Sequence, residues 1–273
     1  MPDQAANARA FDGDGNPIDP GACVVPIMKR IGRDRLAIIG TGFYISRLGL
    51  FMTAAHVLAE IVDESKNQIR TGYICHKASD QAVHLRRILA VNTYLKADIA
   101  IGQADNFSSR YPDSPLQNMR TKLTGRVPKQ GSLVTTYAYP ENKVLDFEDP
   151  EAVPEIRSDY YDGDFLREVV ESDHPEIPYR HYETSILIKS GASGGPVFCQ
   201  GSVIGLNCRG WDFGSEDDAL SYIVPVEFAL GVIVGGMQLP ERSWEYSQIP
   251  EAKRGTTLTL GQLVEFGHVL YTT

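Results

Sequence analysis

The chain has 273 residues, of which 42% are hydrophobic and 22% charged, an ordinary balance for a globular protein. Its formal net charge of -9 argues against a non-specific nucleic-acid binder, which carries a basic surface. No apolar run approaches the roughly 20 residues that span a bilayer, so neither a nucleic-acid nor a membrane partner is expected.

Residues 1–20 are rich in Asp, Gly, Asn, Pro and Ala and read as a flexible N-terminal arm. Apolar runs follow at Val24 to Met28, Leu36 to Ile45 and Leu50 to Val57, separated by the turns Lys29 to Arg35 and Arg47-Leu48-Gly49. Short runs between turn signals predict antiparallel strands, and Gly40 and Gly42 inside the second run predict a bulge or a close backbone approach. Further strands are predicted at His84 to Val91, Asp98 to Gly102, Ser132 to Tyr139, Val197 to Phe198, Ser202 to Asn207 and Ser221 to Val226. The fold class is therefore all-β. Helical signals are few: a turn or two over Ala54 to Asp63, the stretch Val226 to Val234, and a capping-box pattern at Thr259 and Gln262.

The stretch Glu141 to Glu183 holds fourteen Asp or Glu against four Lys or Arg. It reads either as a solvated insertion or as a negative rim that attracts basic substrates or a basic partner. Cys23, Cys75, Cys199 and Cys208 lack C-x-x-C spacing, and the six histidines make no ligand cluster, so no metal and no cofactor is expected. His174 and His181 flank a proline-containing stretch and read as surface residues. Met1 to Ala10 has no basic segment followed by an apolar one, which predicts a cytoplasmic location and favours buried free thiols over disulfides.

Three positions carry chemistry. Ser193 lies in Gly191-Ala192-Ser193-Gly194-Gly195-Pro196, His56 closes Thr53-Ala54-Ala55-His56, and Asp98 opens Asp98-Ile99-Ala100-Ile101. A serine hydroxyl needs a base within hydrogen-bonding reach, and an imidazole needs a carboxylate to present its correct nitrogen. An acid among apolar residues needs a polar partner if it is buried. The N–H groups of Gly191 and Ser193 are the natural oxyanion donors, and Pro196 suits the first position of a strand. Each motif alone is commonly structural; their coincidence in one chain predicts a serine peptidase.

These motifs resemble those of the chymotrypsin/trypsin-like serine peptidases, of the bacterial, short-loop type. Gly40-Thr41-Gly42-Phe43 and Val203-Ile204-Gly205-Leu206-Asn207 match as well. The resemblance covers roughly residues 24–230. It implies a chymotrypsin-like double barrel: two six-stranded antiparallel β-barrels with short helices, a cleft between them, and a C-terminal extension. The expected organisation is an arm at 1–20, a first barrel at 21–120, a second at 121–235 with an acidic insertion at about 141–183, and an extension at 236–273. The implied site is a His56, Asp98, Ser193 triad with an oxyanion hole at Gly191 and Ser193. Leu187 is implied at the base of the primary pocket, with Cys208, Arg209 and Gly210 along its substrate-pairing edge. An apolar pocket base suits an apolar side chain, whereas one of Asp212, Glu216, Asp217 or Asp218 turned inward would favour Arg or Lys. Where digestive members carry an acid that pairs with a freed N-terminus, this chain has Ala192, and it lacks their N-terminal Ile-Val-Gly-Gly, so activation by N-terminal cleavage is not expected.

Gly191-x-Ser193-x-Gly195 also fits the nucleophile elbow of an α/β-hydrolase, but a strand rather than a helix is predicted after it, and only His268 follows the serine. A catalytically silent barrel acting as a peptide-binding or scaffolding module is the alternative from another class. The reading adopted is a regulatory serine endopeptidase whose partner is a protein or peptide substrate, with a dedicated partner protein as a further expectation.

Overall fold

The computed structural model describes residues 16–33, 35–47, 49–63, 68–69, 72–77, 83–107, 116, 118–140, 144–146, 156–172, 175–211, 220–234 and 257–273. The first apolar runs become β1 (Val24–Arg30), β2 (Arg35–Tyr44) and β3 (Leu50–Ala54). A short helix, α1 (Ala55–Ala59), follows β3 directly. The chain continues through the paired β4 (Val62–Asp63) and β5 (Gln68–Ile69), then β6 (Gly72–Lys77), β7 (Val83–Tyr94) and β8 (Ile99–Ala104). Strands β1, β6, β7, β8, β3 and β2 pair in that order, and β2 pairs back to β1, closing a six-stranded barrel.

The second half contains β9 (Lys122–Thr124), β10 (Leu133–Ala138), β11 (Val144–Asp146), β12 (Asp159–Val169) and β13 (His181–Thr184). Then come β14 (Pro196–Cys199), β15 (Ser202–Trp211) and β16 (Leu220–Pro225). Strands β14, β10, β12, β13, β16 and β15 close the second barrel through the β14–β15 pair. Closure leaves no free sheet edge in either ring, the usual protection of all-β proteins against edge pairing. Pro196 opens β14, where its missing N–H costs least.

The acidic stretch supplies more than an insertion. It contains β12 and β13, two strands of the second barrel, and β11, which pairs with β2 of the first. The alternation that marks a strand is blurred in β12 because most of its residues are half-exposed and polar on both faces, with Phe165 alone fully buried. His181, expected at the surface, is 2% exposed. It sits in β13, bonds the Tyr179 carbonyl through Nδ1 at 2.9 Å and meets the Tyr222 ring edge-on. His174 and the acids at 212–218 lie outside the described residues.

Among the described residues, helix is confined to short pieces. Val226–Gly231 forms 3-10 turns, and β17 (Ile233–Val234) pairs with β18 (Leu258–Thr259). α2 (Leu260–Glu265) starts at Thr259 with the expected capping box: the Thr259 hydroxyl accepts from Gln262 N–H, and the Gln262 side chain accepts from Thr259 N–H. β19 (Leu270–Thr272) then lies parallel to β9 on the second barrel's sheet. A large apolar cluster runs from the first barrel (Phe43, Met52, Val57, Ile99) into the second (Phe198, Leu206, Val224), and a smaller one fills the second barrel around Val134, Phe165 and Ile223. All four cysteines are free thiols; Cys23, Cys75 and Cys208 are buried and Cys199 half-buried. Among the described residues, no helix is long and apolar enough to cross a membrane.

Candidate active site

His56 lies in the first turn of α1 and Asp98 at the turn entering β8. Asp98 has φ of 51°, a left-handed conformation that Asp tolerates better than most residues. It ends the 3-10 turn Leu95–Ala97 and turns both its carbonyl and its carboxylate toward α1. The carbonyl accepts from Ala55 N–H at 3.0 Å, and carboxylate Oδ1 accepts from His56 N–H at 2.9 Å. Asp98 therefore caps the short helix from outside, satisfying N–H groups that α1 cannot bond internally. Its second oxygen, Oδ2, lies 2.8 Å from His56 Nδ1. With Nδ1 held by the acid, Nε2 is the nitrogen left for proton exchange. The His56 ring is 48% exposed, Asp98 only 18%.

Asp98 Oδ2 has a second donor, the Cys208 thiol at 3.0 Å. Burial foremost, with the neighbouring Asp98 charge, pushes the Cys208 thiol pKa far up, so it stays protonated and donates. Burial also pushes the Asp98 carboxyl up. The hydrogen bond and charge of His56, with the thiol bond, outweigh that and leave it below the ordinary 3.8 of an aspartate. The Tyr179 hydroxyl lies 3.3 Å from Cys208 Sγ, which extends the chain of polar contacts to the loop before β13.

Ser193 sits in the turn between β13 and β14. Ala192 N–H donates to the Lys189 carbonyl at 3.0 Å, closing a turn with Gly191 at its third position and φ of 93°. A type II turn demands such a φ there, which glycine meets without strain. Gly194 has φ of 81°, and a Cβ on it would come within 2.0 Å of Thr53 Oγ1 and 2.7 Å of Ala54 N. The serine turn thus packs directly on the segment that leads into His56. Ser193 Oγ donates to the Cys208 carbonyl at 3.5 Å, the one bond its hydroxyl makes among the described residues. The structure therefore joins His56 to Asp98, and it brings Ser193 and Asp98 to the same residue, Cys208, without a Ser193–His56 hydrogen bond.

Of the residues expected along the substrate edge, Cys208 touches both Asp98 and Ser193. Cys208, Arg209 and Gly210 lie on β15, and Gly210 packs against the Ile188 carbonyl, beside half-exposed Leu187. Arg209 ion-pairs with Glu176. Glu168 pairs with Arg180, and Glu183 with Arg167. Glu168, Glu176 and Glu183 of the acidic stretch are thus answered within the chain. Sequence reasoning missed the polar contacts of Thr41, Asn207 and Tyr179, because bonds between segments far apart in the chain leave no local pattern.

Residues 40–206 match the family model of the trypsin-like peptidase domain. The chain belongs to the trypsin-like peptidase family. As a member it is a serine endopeptidase, and its closed double barrel is the family's fold. No significant match is found among curated proteins. Among solved structures, Deg5 superposes with a TM-score of 0.53 at 16% identity, over 76% of this chain and 85% of that one. The HtrA-type protease AlgW with a tripeptide gives 0.56 at 16% identity, over 83% of this chain and 60% of that one. At such identities the likeness is one of fold, and this chain spans less than two thirds of AlgW.

Proposed function

We propose that this trypsin-like endopeptidase works by an acyl-enzyme mechanism with His56, Asp98 and Ser193 as its triad. The observation that carries the reading is the bidentate hold of Asp98 on His56, through N–H at 2.9 Å and Nδ1 at 2.8 Å, beside the serine turn. Such a hold selects the imidazole tautomer with a basic Nε2. A turn of the Ser193 side chain toward Nε2 starts the reaction; catalytic hydrogen bonds are often loose before substrate is bound. Ser193 Oγ gives its proton to His56 Nε2 and attacks the scissile carbonyl carbon. The oxyanion is received by Gly191 N–H and Ser193 N–H, and His56 then protonates the departing amine. Water repeats the sequence on the acyl ester: it gives a proton to His56, attacks, and releases the carboxylic acid and the free serine.

Leu187 and Ile188, both half-buried, support a preference for a medium or large apolar side chain before the cleaved bond. A narrow, regulatory role on a protein substrate accords with Ala192, which removes the acid-to-N-terminus route of activation. A fluorophosphonate probe tests the chemistry. Wild type is expected to label, and S193A and H56A are not. A catalytically silent, peptide-binding barrel would leave the wild type unlabelled as well. Cleavage of a peptide library, read by mass spectrometry, reports the pocket preference.

A further inference from the structure

The serine turn is tied from behind by two residues on different barrels: the buried side chain of each holds one carbonyl of the turn, and the backbone N–H of each holds another. On β2, the Thr41 hydroxyl donates to the Gly191 carbonyl at 2.8 Å, and Thr41 N–H donates to the Ser193 carbonyl at 2.9 Å. The same hydroxyl accepts from Tyr139 N–H at 3.1 Å, which commits its proton to Gly191. On β15, Asn207 Nδ2 donates to the Ala192 carbonyl at 3.3 Å and to Thr136 Oγ1 at 2.7 Å. The Asn207 backbone accepts from Gly194 N–H at 2.7 Å and donates to the Gly195 carbonyl at 2.8 Å. Thr41 and Asn207 are both fully buried. Among the described residues the N–H groups of Gly191 and Ser193 have no acceptor, whereas those of Ala192, Gly194 and Gly195 all do.

We infer that Thr41 and Asn207 are positioning residues that hold the oxyanion turn in its donor-presenting form. In a trans peptide the N–H points opposite to the C=O of the same unit. Tying the Ala192 carbonyl to Asn207 therefore aims Ser193 N–H away from the core, toward the cleft. Tying the Gly191 carbonyl to Thr41 fixes the plane that follows Gly191, on which the preceding N–H is hinged. Asn207 Oδ1 is buried and has no hydrogen-bond partner among the described residues. An unpaired buried acceptor is costly, so the amide is not there to satisfy itself; its Nδ2 donor is the useful half. The arrangement holds the turn with neutral groups in a chain that has Ala192 where digestive members use a charge.

The inference rests on the mechanism above, and the test separates the two. T41V removes the hydroxyl at nearly constant shape, T41A removes it with less crowding, and T41S keeps it. Steady-state kinetics on a cleaved peptide should show kcat lowered about tenfold in T41V and T41A with KM within about twofold, and T41S near wild type. Binding of a peptide aldehyde, whose hemiacetal oxygen occupies the hole, should weaken by a similar factor in T41V and T41A and stay near wild type in T41S. If T41V does not fold, T41A carries the comparison. A wild type that neither labels nor cleaves overturns the mechanism. A wild type that does both, with T41A equal to it in kcat and aldehyde affinity, or with T41S as impaired as T41A, overturns this inference alone.

Discussion

Asp98 does three jobs at one left-handed residue: it caps α1, orients His56 and receives the Cys208 thiol. Its carboxyl titrates below 3.8 in the folded chain. A group whose folded pKa is depressed adds stability above its unfolded pKa and loses it as pH falls through the folded value. Wild type should therefore be more stable than D98N at pH 6, with the gap narrowing below about pH 4; chemical denaturation of both across that range checks it. Cys208 is a donor rather than a nucleophile, because its thiol is buried and its pKa is raised. C208S, which offers a hydroxyl at the same place, should keep kcat/KM within about threefold. C208A, which leaves Asp98 Oδ2 short of a donor, should lose about tenfold, a change of about 1.4 kcal/mol and near the low end of the ~1.5–3 kcal/mol of a hydrogen bond to a charged group. The identities at 56, 98 and 193 were legible in the sequence. Cys208 was legible only as part of a substrate edge, because its contact with Asp98 spans 110 positions.

At the scale of elements, periodicity and punctuation carried far where strands are buried on one side or bounded by turns. β2, β10, β14 and β16 fall within a residue or two of expectation, because glycine, proline and charged turns bracket them. β12 escaped because its polar residues face solvent on a barrel wall and imitate a loop. The capping box of α2 was legible because both partners lie within four residues. T259A removes the side-chain half of it and should cost about 1 kcal/mol, a fall of about 2–4 °C in melting temperature. A calorimetric scan of T259A against wild type measures it.

Across the molecule, distant segments are stitched together more than their order in the chain implies. Arg86 on β7 is fully buried and bonds the Tyr44 hydroxyl, the Asp105 carbonyl and the side chains of Asn106 and Asn118, gathering several loops at one end of the first barrel. The Tyr139 hydroxyl crosses to the Val24 carbonyl, and β11 reaches from between β10 and β12 to the first barrel. At the other end, β19 lies on β9, Arg120 donates to the Gly267 and His268 carbonyls, and Arg126 donates to the Thr273 carbonyl. Deleting residues 268–273 strips the His268 and Thr273 acceptors and the β19 strand over Leu123, so the melting temperature should drop by about 5 °C. Fluorophosphonate labelling at 20 °C should persist, because no hydrogen bond of His56, Asp98 or Ser193 involves that strand.

Read alone, the amino-acid order determined the all-β class and the family, and it singled out His56, Asp98 and Ser193 as the side chains proposed to react, since these readings depend on residue type and on spacing within a few positions. Tertiary structure alone decided that His181 is buried, that the acidic stretch builds barrel wall, and that Thr41 and Asn207 grip the serine turn. Each of those facts depends on which surfaces meet when the sheets close, and hydrogen bonds between segments tens to more than a hundred residues apart have no signature in either segment by itself.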